Sequence, residues 1–307
     1  MIALGIDTSN YTTSAANYDG KDHFLVRRVL DVKEGMRGIR QSDGVFAHNK
    51  ALPGMIAECI SRSGRDIAAV GVSTRPRNVE GSYMPVFTVG HGYAMAVAAA
   101  LDAELYEFSH QDGHIMAGIY SAGAWELLQK PFISVHLSGG TTEILRSEYN
   151  GHGFDNEIIG GTLDISVGQL IDRIGVAMGM KFPCGAELER LAGTADKTEK
   201  LLFSVNGGYM NLSGVETKLM RLVNGRDAVL ARTVLVYIRD VLIKTVGAAR
   251  EATGLSDVMI AGGVASNGII RSGLNGMDGL NVRFASRELS CDNAVGTAVL
   301  AYLKRGI

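Results

Sequence analysis

The sequence predicts an α/β protein made of two related halves. Two observations carry that expectation. A short apolar strand that runs into a polar turn and returns as a second strand occurs twice, once at residue 2 and again after Pro131. In each half, helical periodicity and short apolar runs then alternate, as they do in α/β domains. The 39 glycines against 5 prolines add many tight backbone turns of the kind that approach ligands.

In the first half, Ile2 to Ile6 reads as a buried strand ending at Asp7-Thr8-Ser9-Asn10. Thr12 to Tyr18 is the returning arm of a hairpin, and Phe24 to Leu30 a third strand. Phe46 to Ser63 has helical spacing, with an apolar stripe of Ala47, Ala51, Met55, Ile56, Cys59 and Ile60. Ile67 to Ser73 is a buried strand, Val86 to Leu101 a glycine- and alanine-rich helix, and His110 to Ser121 a further helix. The second half opens with strand Phe132 to Leu137, the turn Ser138-Gly139-Gly140-Thr141-Thr142, and strand Glu143 to Ser147. Helices are expected over Asp164 to Met178 and Leu230 to Thr253, a buried strand over Val258 to Ile260, and a terminal helix over Asp292 to Lys304. The division is therefore 1–130 and 131–291, with the helix at 292–307 packing back on the first half. The two halves are expected to face each other across a cleft.

Composition narrows the function. At 307 residues the chain can fill two cores, and a net charge of −2 advertises no global basic field for nucleic acid. The apolar run Met1 to Ile6 is too short for a signal peptide, and no run of about 18 apolar residues could span a membrane. Cys59, Cys184 and Cys291 are odd in number and widely spaced, which fits a reducing cytoplasm.

His110 and His114 stand one helical turn apart, so their imidazoles can share one metal ion. Gln111 occupies the place of the glutamate base in zinc proteases, so a metal here suits substrate binding better than peptide hydrolysis. Two polar residues on a solvated helix face is the simpler alternative. Ser138 to Thr142 suits a phosphate cradle of bare backbone N–H groups and hydroxyls, or an ordinary hairpin. Asp7-Thr8-Ser9 ends the first strand in the same way, or forms an Asx turn. The turn Ala261-Gly262-Gly263-Val264-Ala265-Ser266-Asn267 lets a flat group lie on the backbone, with Asn267 reaching a base or ribose; close strand–helix packing is the alternative. Asp292 is either a helix cap or the carboxylate that completes a two-histidine metal set. Asp172 sits in an apolar helix beside Arg173, its possible ion-pair partner, and Cys184 reads as a small core residue. Arg75 and Arg77 are candidate anion contacts, with a solvated loop the simpler reading.

Six motifs in register resemble the TsaD/Kae1/YgjD family, the M22 "glycoprotease" family of the ASKHA (actin/hexokinase/Hsp70-like) superfamily. They are His110-x-x-x-His114, Leu137-Ser138-Gly139-Gly140, Phe182-Pro183-Cys184-Gly185, Leu212-Ser213-Gly214, Ala261-Gly262-Gly263-Val264 and Cys291-Asp292-Asn293-Ala294. The resemblance implies a two-domain ASKHA fold with duplicated mixed-sheet halves around a cleft. It implies threonylcarbamoyl transfer from threonylcarbamoyl-adenylate to N6 of adenosine 37 in ANN-decoding tRNA, the t6A modification. A divalent ion, iron or zinc, would be held by the residues matching His110, His114 and Asp292. The adenylate, or ATP or ADP, would contact His136, Leu137, Ser138, Gly139, Gly140, Asp172, Gly185, Gly262, Gly263 and Asn267. Asp7, Ser138 and Asp172 are the expected catalytic groups. A metal-less paralogue and an ATPase are the partners that the resemblance implies, in the cytoplasm.

The departures describe a divergent paralogue. The family's E-T-S-C-D-E-T turn is Asp7-Thr8-Ser9-Asn10-Tyr11-Thr12-Thr13, so Tyr11 and Thr12 replace an acidic pair. S-G-G-H-T becomes Ser138 to Thr142, G-P-G-L-x-G-S becomes Thr74 to Ser82, and F-S-F-S-G-L-K-T becomes Met210 to Thr217. A nucleotide-binding scaffold or regulator is the alternative function that these changes favour.

Overall fold

A computed structural model describes residues 1–9, 11–30, 39–63 and 66–306. Asn10, part of the first turn singled out above, lies outside them. Two compact units emerge, one of Met1–Gln129, Tyr149–Asp155 and Asp292–Ile307, the other of Lys130–Glu148 and Asn156–Cys291. The sequence division at residue 130 does not anticipate that Tyr149–Asp155 belongs with the first unit; its ties there are described below.

Among the described residues of the first unit, β1 (Ile2–Asp7), β2 (Thr12–Tyr18), β3 (His23–Val29), β4 (Ile67–Arg75) and β5 (Glu104–Ser109) form a sheet in the order β3-β2-β1-β4-β5. The first three are antiparallel; β4 and β5 run parallel to β1. Helices α1 (Gln41–Ser63) and α2 (Phe87–Leu101) bury Leu52, Met55, Ile56, Val89 and Ala94 against Leu4, Ile6, Val70 and Val72. Helix α3 (His110–Ala122) and the C-terminal helix Val295–Lys304 pack with each other, and the latter also packs on β1 and β4. Gly5 and Gly71 make that approach possible, because a Cβ on either would collide with the backbone of the C-terminal helix.

The second unit repeats the plan. Strands β6 (Phe132–Leu137), β7 (Thr142–Tyr149) and β8 (Phe154–Thr162) are joined by the short β9 (Val205–Asn206) and β10 (Tyr209–Met210), and by β11 (Asp257–Ala261) and β12 (Asn281–Phe284). Their order is β12-β11-β6-β7-β8-β10-β9. The path 8-7-6-11-12 thus matches 3-2-1-4-5 of the first sheet, with β11 parallel to β6 and β12 parallel to β11. Helices α4 (Val167–Ala177), α5 (Gly185–Ala192), α6 (Ser213–Leu222), α7 (Ala228–Thr253) and α8 (Gly268–Asn275) supply the core, which α7 lines with Leu230, Val234, Ile238, Leu242 and Val246. The C-terminal helix Val295–Lys304 is α9 in this numbering. No described helix is long and apolar enough to cross a membrane.

Several expected boundaries shift for visible reasons. The helix expected from Asp164 starts at Val167, because Ser166 and Gln169 form a reciprocal capping box there. The terminal helix starts at Val295 rather than Asp292, since Asn293 Oδ1 takes the Val295 N–H at 3.0 Å. Asp292 is therefore not its cap.

Candidate metal centre and nucleotide turns

Helix α3 begins abruptly, and this aims its histidines. Ser109 Oγ accepts the Asp112 N–H at 3.1 Å while Asp112 Oδ2 accepts the Ser109 N–H at 3.0 Å. His110 follows the cap directly, so its ring is placed by the first turn, and His114 stacks edge-on one turn later with centroids 4.4 Å apart. Their Nε2 atoms are 3.0 Å apart, and Asp292 Oδ1 lies 3.1 Å from His114 Nε2 and 3.4 Å from His110 Nε2. Three donors each about 2.1 Å from one ion would stand roughly 3.0–3.4 Å apart, so the triangle has the size a metal requires. Two imidazoles and a carboxylate also suit iron or zinc chemically.

Behind the triangle lies Asp7, 1% exposed, with Oδ1 2.8 Å from His110 Nδ1 and Oδ2 accepting the Ser9 hydroxyl at 2.6 Å. The same Oδ2 accepts the Ser9 N–H at 3.3 Å, the Asx-type bond of the turn, while Oδ1 holds the His110 ring. Burial raises the Asp7 pKa, but the His110 charge and the bonds from His110 and Ser9 outweigh it and leave it below the usual carboxylate range. For His110 burial acts downward, yet Asp7 and Asp292 together raise its pKa to about 10. Asp292 is pushed up by burial and pulled well below its ordinary value by the two histidines. A cation entering such a site displaces the His110 proton.

In the second unit the glycine-bearing turns gather at the C-terminal ends of β6 and β11, where α/β sheets bind ligands. Ala261 pairs with His136, and a Cβ on Gly262 (φ +102°) would run into the Leu137 carbonyl. Ser138 Oγ accepts the Thr141 N–H at 3.0 Å and closes the turn, while Ser166 Oγ donates to the Gly139 carbonyl at 2.8 Å. A Cβ on Gly139, Gly140 or Gly185 would meet nothing within 4 Å, so these backbones border open space.

Asp172 does not pair with Arg173, whose guanidinium holds Glu216 at 3.0 Å. Its Oδ1 instead takes the Cys184 N–H at 2.7 Å, which brings it to the start of α5 beside Gly185. Burial raises the Asp172 pKa against that bond. Burial likewise raises the Cys184 thiol to about 11, in keeping with a core cysteine. Asn267 Oδ1 caps α8 by accepting from Ile269 and Ile270 N–H at 3.0 and 3.1 Å, so a ligand would meet its amide NH₂.

Sequence reasoning missed three polar residues. Glu189 of α5 accepts the Gly268 N–H at 2.7 Å, next to Asn267. Its signal is faint: Gly185 and Glu189 lie one helical turn apart. Asn78 and Asp112 are joined by hydrogen bonds at 2.8 and 3.0 Å, a pairing that no spacing announces. Arg75 donates within its own loop, to Asn78 Oδ1 and Thr74 Oγ1.

A family profile described as tRNA N6-adenosine threonylcarbamoyltransferase matches residues 32–299. The chain belongs to the TsaD family. It is 31% identical over 98% of its length to a tRNA N6-adenosine threonylcarbamoyltransferase of Thermus thermophilus, covering 92% of that protein. It is 28% identical to the enzyme of that name from Polaromonas sp. JS666, over 99% of this chain and 91% of the relative. Among solved structures, T. kodakarensis HypF superposes with TM-score 0.64 at 13% identity, over 98% of this chain and 46% of HypF. The ROK hexokinase of Thermus thermophilus gives 0.56 at 16% identity, over 99% of both chains. These likenesses show the ASKHA fold. The TsaD family membership makes the chain a transferase of the t6A pathway.

Proposed function

We propose that this TsaD-family protein transfers a threonylcarbamoyl group from its adenylate to N6 of adenosine 37 of ANN-decoding tRNA. The observation that carries the reading is the donor triangle of His110, His114 and Asp292 with Asp7 behind it. These residues fit iron or zinc, which when bound would polarise a phosphate or carbamoyl oxygen.

The chain's own groups divide the remaining work. Asp7, shut away from solvent, orients His110 rather than reacting itself, which revises the catalytic role expected of it. Gly139, Gly140 and Gly263 offer backbone to the phosphate and the flat parts of the adenylate, with His136, Leu137 and Gly262 shaping the floor beneath. Ser138 Oγ accepts the Thr141 N–H and still has its hydroxyl proton to give to a phosphate or carbonyl oxygen. Asp172, Gly185 and Asn267 orient the threonyl and ribose groups, Asp172 by accepting and the Gly185 N–H and Asn267 amide by donating. tRNA is the acceptor, and a metal-less paralogue and an ATPase are the working partners.

The test is transfer from preformed threonylcarbamoyl-adenylate to an ANN-decoding tRNA by iron- or zinc-loaded protein with the family's partner proteins present. Product that disappears in His110→Ala supports the reading. Tight ATP binding without any product overturns it in favour of a nucleotide-binding scaffold, the role that Tyr11 and Thr12 in place of the acidic pair would suit.

A further inference from the structure

The loop Thr74–Ser82 is one of the segments that depart from the family pattern, and the amide of its exposed Asn78 turns back to α3. Arg75 reaches Asn78 Oδ1 through Nε (3.1 Å) and Nη2 (2.7 Å), and Thr74 Oγ1 through Nη1 (3.0 Å). Asn78 donates its amide to both oxygens of Asp112, at 3.0 and 2.8 Å, and approaches the Phe154 carbonyl at 3.4 Å. Asp112 is 1% exposed, yet it accepts two further bonds, from Ser109 N–H at 3.0 Å and from Phe154 N–H at 3.1 Å. Gly153 lies flat against the same carboxylate; a Cβ there would stand 3.2 Å from Oδ2. Pro76 adds a second tie to α3, accepting the Gln111 N–H at 3.1 Å.

One buried carboxylate, two residues along α3 from each histidine of the donor triangle and on the other side of the helix, therefore fastens three segments: the loop after β4, the first turn of α3, and Tyr149–Asp155. A carboxylate without a partner of opposite charge in contact is costly to bury. Here the Arg75 charge is passed on through the Asn78 amide, and such chains of hydrogen bonds polarise one another.

We infer that Arg75, Asn78 and Asp112 form a positioning relay that couples the metal-bearing turn of α3 to the segment Tyr149–Asp155. The inference rests on the metal reading above. Coupling is reciprocal: an ion that steadies His110 and His114 slows the opening of Tyr149–Asp155, and loosening the relay weakens the ion.

The full-length protein tests this with Co²⁺ as probe, read by its visible absorption bands and by amide hydrogen exchange with and without the ion. In wild type, Co²⁺ slows exchange in residues 149–155 as well as in α3. Asn78→Ala binds Co²⁺ severalfold more weakly, the size of effect expected of a residue that touches no ligand but is coupled to the element bearing one, with unchanged band positions, and Co²⁺ no longer slows exchange at 149–155. Arg75→Met, which keeps the Asn78 amide in place, shows a smaller loss in the same direction and serves if Asn78→Ala does not fold. Co²⁺ affinity within twofold of wild type in these variants overturns the relay and leaves the metal reading standing. So does wild-type protein that binds Co²⁺ without slower exchange at 149–155. Absence of Co²⁺ bands from wild type overturns the metal reading and the relay together.

Discussion

Asp7 Oδ1 stands 2.8 Å from His110 Nδ1, so the ring nitrogen remote from Asp292 is already engaged by a carboxylate. That leaves Nε2 for an ion and fixes the plane of the ring. Asp7→Asn keeps the volume and weakens the bond, and it should lower Zn²⁺ affinity about tenfold or more. Competition against a chromophoric chelator measures this. Equal affinity in the two proteins would show that Asp7 does not orient the ligand.

Two glycines separate packing from binding. At Gly262 a Cβ would strike the Leu137 carbonyl, and φ is +102°. Gly262→Ala should therefore cost about 3 kcal/mol in urea unfolding. At Gly139 a Cβ would enter open space, so Gly139→Ala should unfold like wild type yet bind ATP severalfold more weakly by calorimetry. Unaltered ATP binding in that variant would remove the turn from the nucleotide site.

Asn267 offers a similar separation on one residue. Its oxygen caps α8, so Asn267→Asp should keep the stability of wild type, whereas Asn267→Ala loses about 1 kcal/mol. Both variants lack the amide donors, so both should bind ATP more weakly. ATP binding that falls only in the alanine variant would make Asn267 a cap and nothing more.

Asp164 predicts a pH dependence. Its carboxylate accepts from Ile165, Leu212 and Ser213 N–H and from the Ser213 hydroxyl. Burial pushes its pKa up, but these bonds outweigh burial and leave it below the ordinary value. A carboxyl lowered on folding stabilises the protein above its unfolded pKa of about 3.9, and that gain is lost as pH falls through the folded value. The side chain is exposed, so solvent screens its charge, and Asp164→Asn should be less stable than wild type by roughly 0.5 kcal/mol at neutral pH. The gap should close as urea unfolding is repeated at falling acidic pH below about 4. A gap that ignores pH would mean that the charge of Asp164 contributes nothing.

Strong patterning made β1, β6, β11 and α7 legible, because each is a largely apolar run or a long stripe between turn formers. Strand β5 was not, since Glu104-Leu105-Tyr106-Glu107 follows α2 with only two residues between and its exposed pattern resembles neither period. The short β9 and β10 form a hairpin across Gly207-Gly208, both at positive φ, and β10 also pairs with β8; two residues a strand leave no period to read. Within the site, the histidines announced themselves by spacing. Asp292 did so only through a motif, because the nearer of its two histidine partners lies 178 residues away. Asn78, Asp112 and Glu189 act through hydrogen bonds to distant backbone and amides. In sequence they look like any polar residue of a loop or helix start.

The close seat of α9 has a consequence for the donor triangle. Gly296 rests on the Gly113 carbonyl of α3, and Gly5 and Gly71 open the sheet to the same helix. Sliding α9 by one residue would drive a methyl group into backbone on two sides at once. The helix works as a key cut to one depth, and Asp292, three residues ahead of its first turn, stops where that depth dictates. The spacing between a carboxylate and two imidazoles is thus gauged by residues that have no side chains at all.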